Sequence, residues 1–392
     1  MPRRILVLSA SVGAGHLRAA EAVEAAAREL DPEAVVKHID VLTLTNKLFR
    51  QLYGRAYLDL VNKLPHALGY FYDLLDQEPS PSRKSDRLRQ LVQKLNLGKF
   101  LSLITGDGWD VVVNTHFLPA EIIAGLKCEG KFAAPQLTVV TDLESHRLWA
   151  NEPCEQYFTA TTEASLALHR WGVPPSATSI TGIPVHPVFS RPKDRAECRT
   201  RQGISPDRPV ILQLAGGFGV GPIEQIYCTI LGVETPLELV IVCGRNAELK
   251  SQLDRCPVPS RHRAKVLGFT DQMDELMCAA DIVVSKPGGL TTSEILARGA
   301  ALVIVNPIPG QESRNSDYLL ENGAAVKASG TATLAYKLGT LLESPETLAR
   351  VKSNATRLGR PRAAYDVAAR TIEFADKHRA AIRRESSAAA VS

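Results

Sequence analysis

Short, largely apolar runs, each followed by a loop and then a stretch of helical period, recur along the whole of this 392-residue chain. A strand carries apolar side chains at successive positions when both its faces are covered, so the pattern predicts parallel sheets flanked by helices. The fold class is α/β. In the first half the runs are Ile5 to Ser9, Val35 to Ile39, Val111 to Val113, Leu137 to Thr141, Tyr157 to Thr159 and Ser179 to Thr181. The second half repeats the plan with Val210 to Leu214, Leu239 to Cys243, Lys265 to Leu267, Ile282 to Ser285, Leu302 to Val305 and Ala324 to Lys327. The first crossover helix is legible in Ala19, Ala20, Val23, Ala26, Ala27 and Leu30, spaced by three and four residues and ended by Asp31-Pro32.

Two sheets, in a chain well above the roughly 100 to 200 residues of one domain, imply two domains. Between the two sets of runs lies Gly182-Ile183-Pro184-Val185-His186-Pro187-Val188-Phe189-Ser190-Arg191-Pro192, whose three prolines forbid a helix and mark a linker. The first domain is expected over 1–186, the linker over 187–195 and the second domain over 196–360. One more helix is expected over 361–379, then an Ala- and Ser-rich mobile tail over 380–392.

One segment breaks the pattern. Between Thr43 and Leu101 there are ten Lys or Arg against five Asp or Glu, and seven of the chain's 22 aromatic residues, so basic and aromatic side chains are concentrated there. Leu88, Leu91, Val92 and Leu95 form an apolar stripe flanked by Arg87, Arg89 and Lys94, the pattern of a basic amphipathic helix that lies on a membrane surface. A helix packed on its own sheet with a solvated basic face fits the same stripe. With Lys47 and Arg50, Arg87 and Lys94 are the candidate membrane contacts.

Composition excludes several classes. At 45% hydrophobic and 22% charged residues the chain is not disordered throughout, and no stretch reaches the roughly 20 apolar residues of a membrane span. Met1-Pro2-Arg3-Arg4 runs straight into the first strand, which predicts a cytoplasmic start without a signal peptide. Seven cysteines show neither C-x-x-C nor paired Cys/His spacing, so reduced thiols are expected and no metal site is. A net charge of +4 is too small to argue for nucleic acid.

Ser9-Ala10-Ser11-Val12-Gly13-Ala14-Gly15-His16 follows the first strand and opens the helix, where small residues let a ligand approach free N–H groups. A dinucleotide fingerprint would need a third glycine near Arg18, with Asp40 as its ribose-binding acid. His16 is either an ordinary helix-start residue or a functional group at the carboxyl edge of the sheet. In the second half Gly216-Gly217-Phe218-Gly219 follows the first strand, Lys286-Pro287-Gly288-Gly289-Leu290-Thr291 the fourth, and Pro309-Gly310-Gln311-Glu312 the fifth. None is a P-loop; together they put polar groups on one sheet edge, which favours a phosphate-bearing ligand.

These residues carry a resemblance. Lys286-Pro287-Gly288-Gly289 with Thr291 and Glu294, Pro309-Gly310-Gln311-Glu312, and Glu321-Asn322-Gly323-Ala324-Ala325 resemble the donor half of the diacylglycerol glycosyltransferases, which include bacterial processive glucosyltransferases and plant monogalactosyldiacylglycerol synthases. Gly13-Ala14-Gly15-His16, Thr141-Asp142-Leu143 through His146, and Gly182-Ile183-Pro184-Val185 match in the same order, so the resemblance spans about residues 4 to 378. It implies a GT-B fold: two facing Rossmann-like parallel-sheet domains with an interdomain cleft, acceptor on the first, UDP-sugar on the second, and a final helix crossing back. By that analogy Gly217, Gly219, Gly288, Gly289, Thr291, Glu294, Gln311 and Glu312 bind the UDP-sugar, Glu294 through ribose hydroxyls and Gln311 with Glu312 through sugar hydroxyls. Glu294 is otherwise a first-turn acid favoured by the helix dipole.

The chemistry expected is inverting, metal-independent hexosyl transfer from a UDP-sugar to a membrane lipid, diacylglycerol first, giving a β-glycolipid. His16 is the first choice of base, with Asp142 and His116 in reserve and Gly13 and Gly15 on the acceptor or diphosphate loop. The expected setting is cytoplasmic and peripheral to the inner face of the cell membrane, with no cofactor and no nucleic acid partner. Transfer to a soluble acceptor and nucleotide-sugar epimerisation are the alternatives, and fold alone does not separate them.

Overall fold

The computed structural model describes residues 2–11, 13–45, 98–106, 108–216 and 222–389. They form two compact units, one of residues 1–187 with 362–392 and the other of residues 188–361.

The first unit is built on a six-stranded, all-parallel sheet in the order β2-β1-β3-β4-β5-β6. Its strands are β1 (Arg4–Ser9), β2 (Val35–Asp40), β3 (Val111–Asn114), β4 (Gln136–Val139), β5 (Gln156–Thr159) and β6 (Thr178–Ile180). Helices α1 (Ala14–Leu30), α2 (Gly98–Gly106), α3 (Phe117–Cys128) and α4 (Thr162–Arg170) cover it. The two faces of the sheet have separate cores, because alternate side chains of a strand point to opposite sides. Ile5, Val7, Val111, Val113, Leu137 and Val139 pack with α1, while Leu6, Leu8 and Val112 pack with Phe100, Ile104, Leu118, Ile122 and Trp109.

The face that α1 presents is nearly all alanine, with Ala19, Ala20, Ala22, Ala26 and Ala27 fully buried beside Val23. So small a surface lets a second helix come close. That helix is the last of the chain, Ala363–Ala389, whose Ala364, Val367, Ala368 and Ala375 join the same core. Its end differs from the expectation of a tail from Ala380. The helix continues to Ala389, with 381–387 exposed, because Ala, Arg and Glu are strong helix formers and neither Gly nor Pro interrupts them.

The second unit has its own six-stranded parallel sheet, in the order β12-β11-β10-β7-β8-β9. Counted from its own first strand and read from the other edge, this is the Rossmann order 3-2-1-4-5-6. The strands are β7 (Val210–Leu214), β8 (Glu238–Val242), β9 (Arg263–Leu267), β10 (Ile282–Ser285), β11 (Ala301–Val305) and β12 (Ala325–Ala328). Helices α5 (Arg195–Arg201), α6 (Ile223–Leu231), α7 (Ala247–Leu253), α8 (Met273–Ala279), α9 (Gly289–Arg298), α10 (Gln311–Glu321), α11 (Thr331–Glu343) and α12 (Pro345–Leu358) surround it. Arg298 at the end of α9 donates to the carbonyls of Val188 and Arg191, which fixes the start of this unit against its own helix. The seven cysteines are all free.

Candidate active site

In the first sheet β2 and β3 leave β1 on opposite sides, so the loops at their carboxyl ends diverge and open a crevice, the usual ligand position of an open α/β sheet. His16 stands there, in the first turn of α1. Its Nδ1 lies 3.0 Å from the carbonyl oxygen of Thr115 and 2.8 Å from Thr141 Oγ1. A carbonyl oxygen only accepts, so the Nδ1 carries the proton and the Nε2 keeps its lone pair. Thr115, just after β3, also donates its hydroxyl to the main-chain carbonyl of His16 at 2.8 Å, holding the histidine at both ring and backbone. Burial pushes the imidazole down to about 4, with the Thr115 carbonyl opposing, so His16 is neutral at physiological pH.

The other two candidate bases stand nearby in different roles. His116 is buried and caps α3, its Nδ1 accepting from the Leu118 N–H at 3.0 Å. Burial first, then the neighbouring His16 and His146, hold its charged form well below the ordinary range. The His16 and His116 rings meet edge to face at 4.5 Å. Asp142, after β4, is buried; its Oδ2 accepts from Trp149 Nε1 at 2.9 Å and lies 3.7 Å from His146 Nε2. Trp149, with no exposed surface, packs against the rings of His16, His116, Phe117 and His146. Three loops thus bring His16, His116 and Asp142 around one tryptophan.

Gly13 caps α1 at φ −155° and ψ 158°, an ordinary extended conformation, and a Cβ there would meet nothing within 4 Å. Neither backbone nor packing demands glycine at this position, and Gly15 follows in the first turn. Asp40 holds backbone instead: its Oδ1 accepts from the N–H groups of Ser11 and Leu42, both at 3.1 Å.

In the second sheet the corresponding divergence lies between β7 and β10. Gly288 caps α9 without a side-chain hydrogen bond, Gly289 and Thr291 fall in its first turn, and Glu294 is buried in its second. The macrodipole acts mainly on the first turn, so the dipole does not explain Glu294. Gln311 and Glu312 open α10 behind Gly310, whose φ of 98° is one that side chains rarely adopt. Glu312 Oε2 accepts from the Ile308 N–H at 2.7 Å, and Oε1 would stand 3.9 Å from a Cβ at Gly288, so the loops after β10 and β11 meet. Burial pushes the Glu312 carboxyl up, opposed by that N–H and by the charge of Lys286. Asn315 of α10 ties down the turn by donating to the Pro287 carbonyl at 3.0 Å.

Gly217, Gly219, Lys47, Arg50, Arg87 and Lys94 lie outside the described residues. Thr115 and Trp149 escape the sequence reading. Thr115 bonds His16 across 99 residues, and neither residue type by itself announces a site.

Residues 16–185 match the monogalactosyldiacylglycerol (MGDG) synthase family, and residues 224–367 match the glycosyltransferase family 28 C-terminal domain. A processive diacylglycerol beta-glucosyltransferase of Bacillus subtilis is 27% identical over 90% of each chain. Among solved structures, Acinetobacter baumannii MurG superposes with a TM-score of 0.59 at 17% identity, covering 95% of this chain and 100% of that one. Anabaena HepE in complex with UDP-glucose gives 0.52 at 15% identity, over 97% and 99%. A UDP-GlcNAc 2-epimerase of Neisseria meningitidis bound to UDP-GlcNAc gives 0.59 at 15%, over 95% and 100%. At these identities the structural likeness is one of fold. Two Rossmann-like units, each with a glycine-capped helix where its sheet diverges, define a GT-B protein, and the domain families make it a glycosyltransferase. Within that class the chain is similar to the diacylglycerol glycosyltransferases: its first half matches the MGDG synthase family, and relatives named for diacylglycerol glucosyl transfer align along nine-tenths of it.

Proposed function

We propose that the chain is an inverting hexosyltransferase that carries a hexose from a UDP-sugar to diacylglycerol in a membrane. The observation that carries this reading is the grip on His16: with Nδ1–H spent on the Thr115 carbonyl, the free Nε2 is a ready acceptor for a hydroxyl proton. The deprotonated hydroxyl attacks the anomeric carbon from the face opposite UDP, which gives a β-glycoside. His116 is occupied as a helix cap and Asp142 by Trp149, which leaves His16 the best placed of the three.

On the second unit the UDP-sugar diphosphate would rest at the N–H groups that begin α9, taking the helix dipole in place of a metal, with Glu294 on the ribose and Gln311 and Glu312 on the hexose. The relatives that align along nine-tenths of the chain are named as lipid glucosyltransferases, whereas likeness to the epimerase is likeness of fold, so transfer is the better reading. The test is incubation with a panel of UDP-sugars and vesicles containing diacylglycerol, followed by mass analysis. A hexosyl-diacylglycerol product with inverted anomeric configuration is expected. Conversion of the UDP-sugar to an epimer without lipid product would replace this reading with the epimerase.

A further inference from the structure

Lys286 follows β10 directly, so it stands where the second sheet diverges, one turn of chain before the N-terminus of α9. It is only partly exposed, and its ammonium makes no hydrogen bond or ion pair with any described residue. Glu312 feels its charge, yet the Oε2 of that carboxylate is already taken by the Ile308 N–H. Lys286 lines a small pocket with Gln213, Ala215, Pro222 and Asn306, at the carboxyl ends of β7, β10 and β11. Gln213 is 2% exposed and spends its Nε2 on the Ile223 carbonyl, which leaves its Oε1 buried without a partner. A buried acceptor with no donor is costly to keep, so the pocket is built for an incoming group that brings one, such as a hydroxyl.

We propose that Lys286 is a further catalytic residue of the transfer, its ammonium contacting the diphosphate of the nucleotide-sugar and neutralising the leaving group. The proposal rests on the nucleotide-sugar reading above. In the transfer the acceptor oxygen forms its bond to the anomeric carbon as the carbon–oxygen bond to the β-phosphate breaks. That electron pair goes to the phosphate oxygen, and the acceptor's proton goes to His16. UDP therefore leaves with one more negative charge than it carried as the sugar ester. The N–H groups of α9 supply partial charges for it; a partly buried lysine three residues before that helix supplies a whole one.

The experiment is calorimetric titration of the full chain, unmodified and as Lys286→Met or Lys286→Arg, with UDP and with uridine, alongside steady-state turnover. Lys286→Met should bind UDP about ten- to a hundredfold more weakly, the usual worth of a charge-assisted hydrogen bond, with uridine affinity unchanged. Its kcat should fall further than its KM rises, and Lys286→Arg should recover most of both. Unchanged UDP affinity in Lys286→Met overturns the proposal, and so does equal weakening of UDP and uridine, which would mark a collapsed pocket. If the unmodified chain binds neither ligand, it is the nucleotide-sugar reading itself that fails.

Discussion

At the scale of single residues, the threonine grip on His16 separates two properties that a base needs. Position and tautomer come from Thr115, and the neutral state comes from burial, which costs a protonated imidazole its hydration. His16→Ala should therefore fold, bind UDP normally and lose about two to four orders of magnitude in turnover, as expected for a removed general base. Turnover within a few-fold of the parent would move the role to Asp142 or His116. His116 allows a different test, because its cap and its titration can be parted. The unfolded histidines take protons as pH falls below the ordinary 6.5, whereas folded His16 resists until about 4 and folded His116, held well below that ordinary value by burial, resists as well. The unfolded state then binds more protons, so stability is fully present above about 6.5 and drains away as the pH falls toward 4. Asparagine caps helices well and does not titrate, so His116→Asn should keep α3 and flatten that loss. Urea denaturation at neutral and mildly acidic pH measures it; an unchanged slope would show that His116 does not contribute.

At the scale of elements, all twelve runs are strands; the central ones are covered on both faces and show no polar alternation to confuse them with a surface helix, while β2, β6 and β9 at the sheet edges are partly exposed. The loops after β1, β10 and β11 are legible for the same reason: the strands bound them, and their glycines are hard to explain otherwise. What the sequence hides is position within an element and contact between elements. Glu294 reads as a first-turn acid until the start of α9 is known to be Gly289, and nothing in the sequence marks Trp149 until Asp142 is found on its Nε1. The last helix hides both, since Ala-rich sequence serves equally as tail and as tight helix contact. Its two halves should answer differently to mutation. Ala368 is fully buried in the core shared with α1, so Ala368→Leu should lose about 1 to 3 kcal/mol by overpacking, read from urea denaturation. Deleting the chain from 381 onward, where 381–387 are exposed, should change stability by less than about 0.5 kcal/mol. A large loss on deletion would show that the overhang packs on something.

At the scale of the whole molecule the lipid is the constraint. Diacylglycerol stays in the bilayer, so a transferase of that acceptor has to reach the membrane; no helix among the described residues is long and apolar enough to cross one. With a net charge of only +4 the chain as a whole offers little attraction to anionic lipid, and the basic and aromatic stretch between Thr43 and Leu101 is where that attraction is concentrated in sequence. Aromatic rings enter the headgroup boundary, and each Lys or Arg near an anionic surface gains about 1 kcal/mol, which salt weakens. Co-sedimentation is therefore expected with vesicles of anionic phospholipid, less with neutral ones and less again at high salt. Reversing the charges of Lys47, Arg50, Arg87 and Lys94 together should release the protein from those vesicles and lower turnover on lipid acceptor. UDP affinity should stay intact, because the donor-binding residues proposed here all come from the other half of the sequence. If the unmodified chain ignores anionic vesicles, that stretch is ordinary packing, and transfer to a soluble acceptor becomes the better account of the same His16 chemistry.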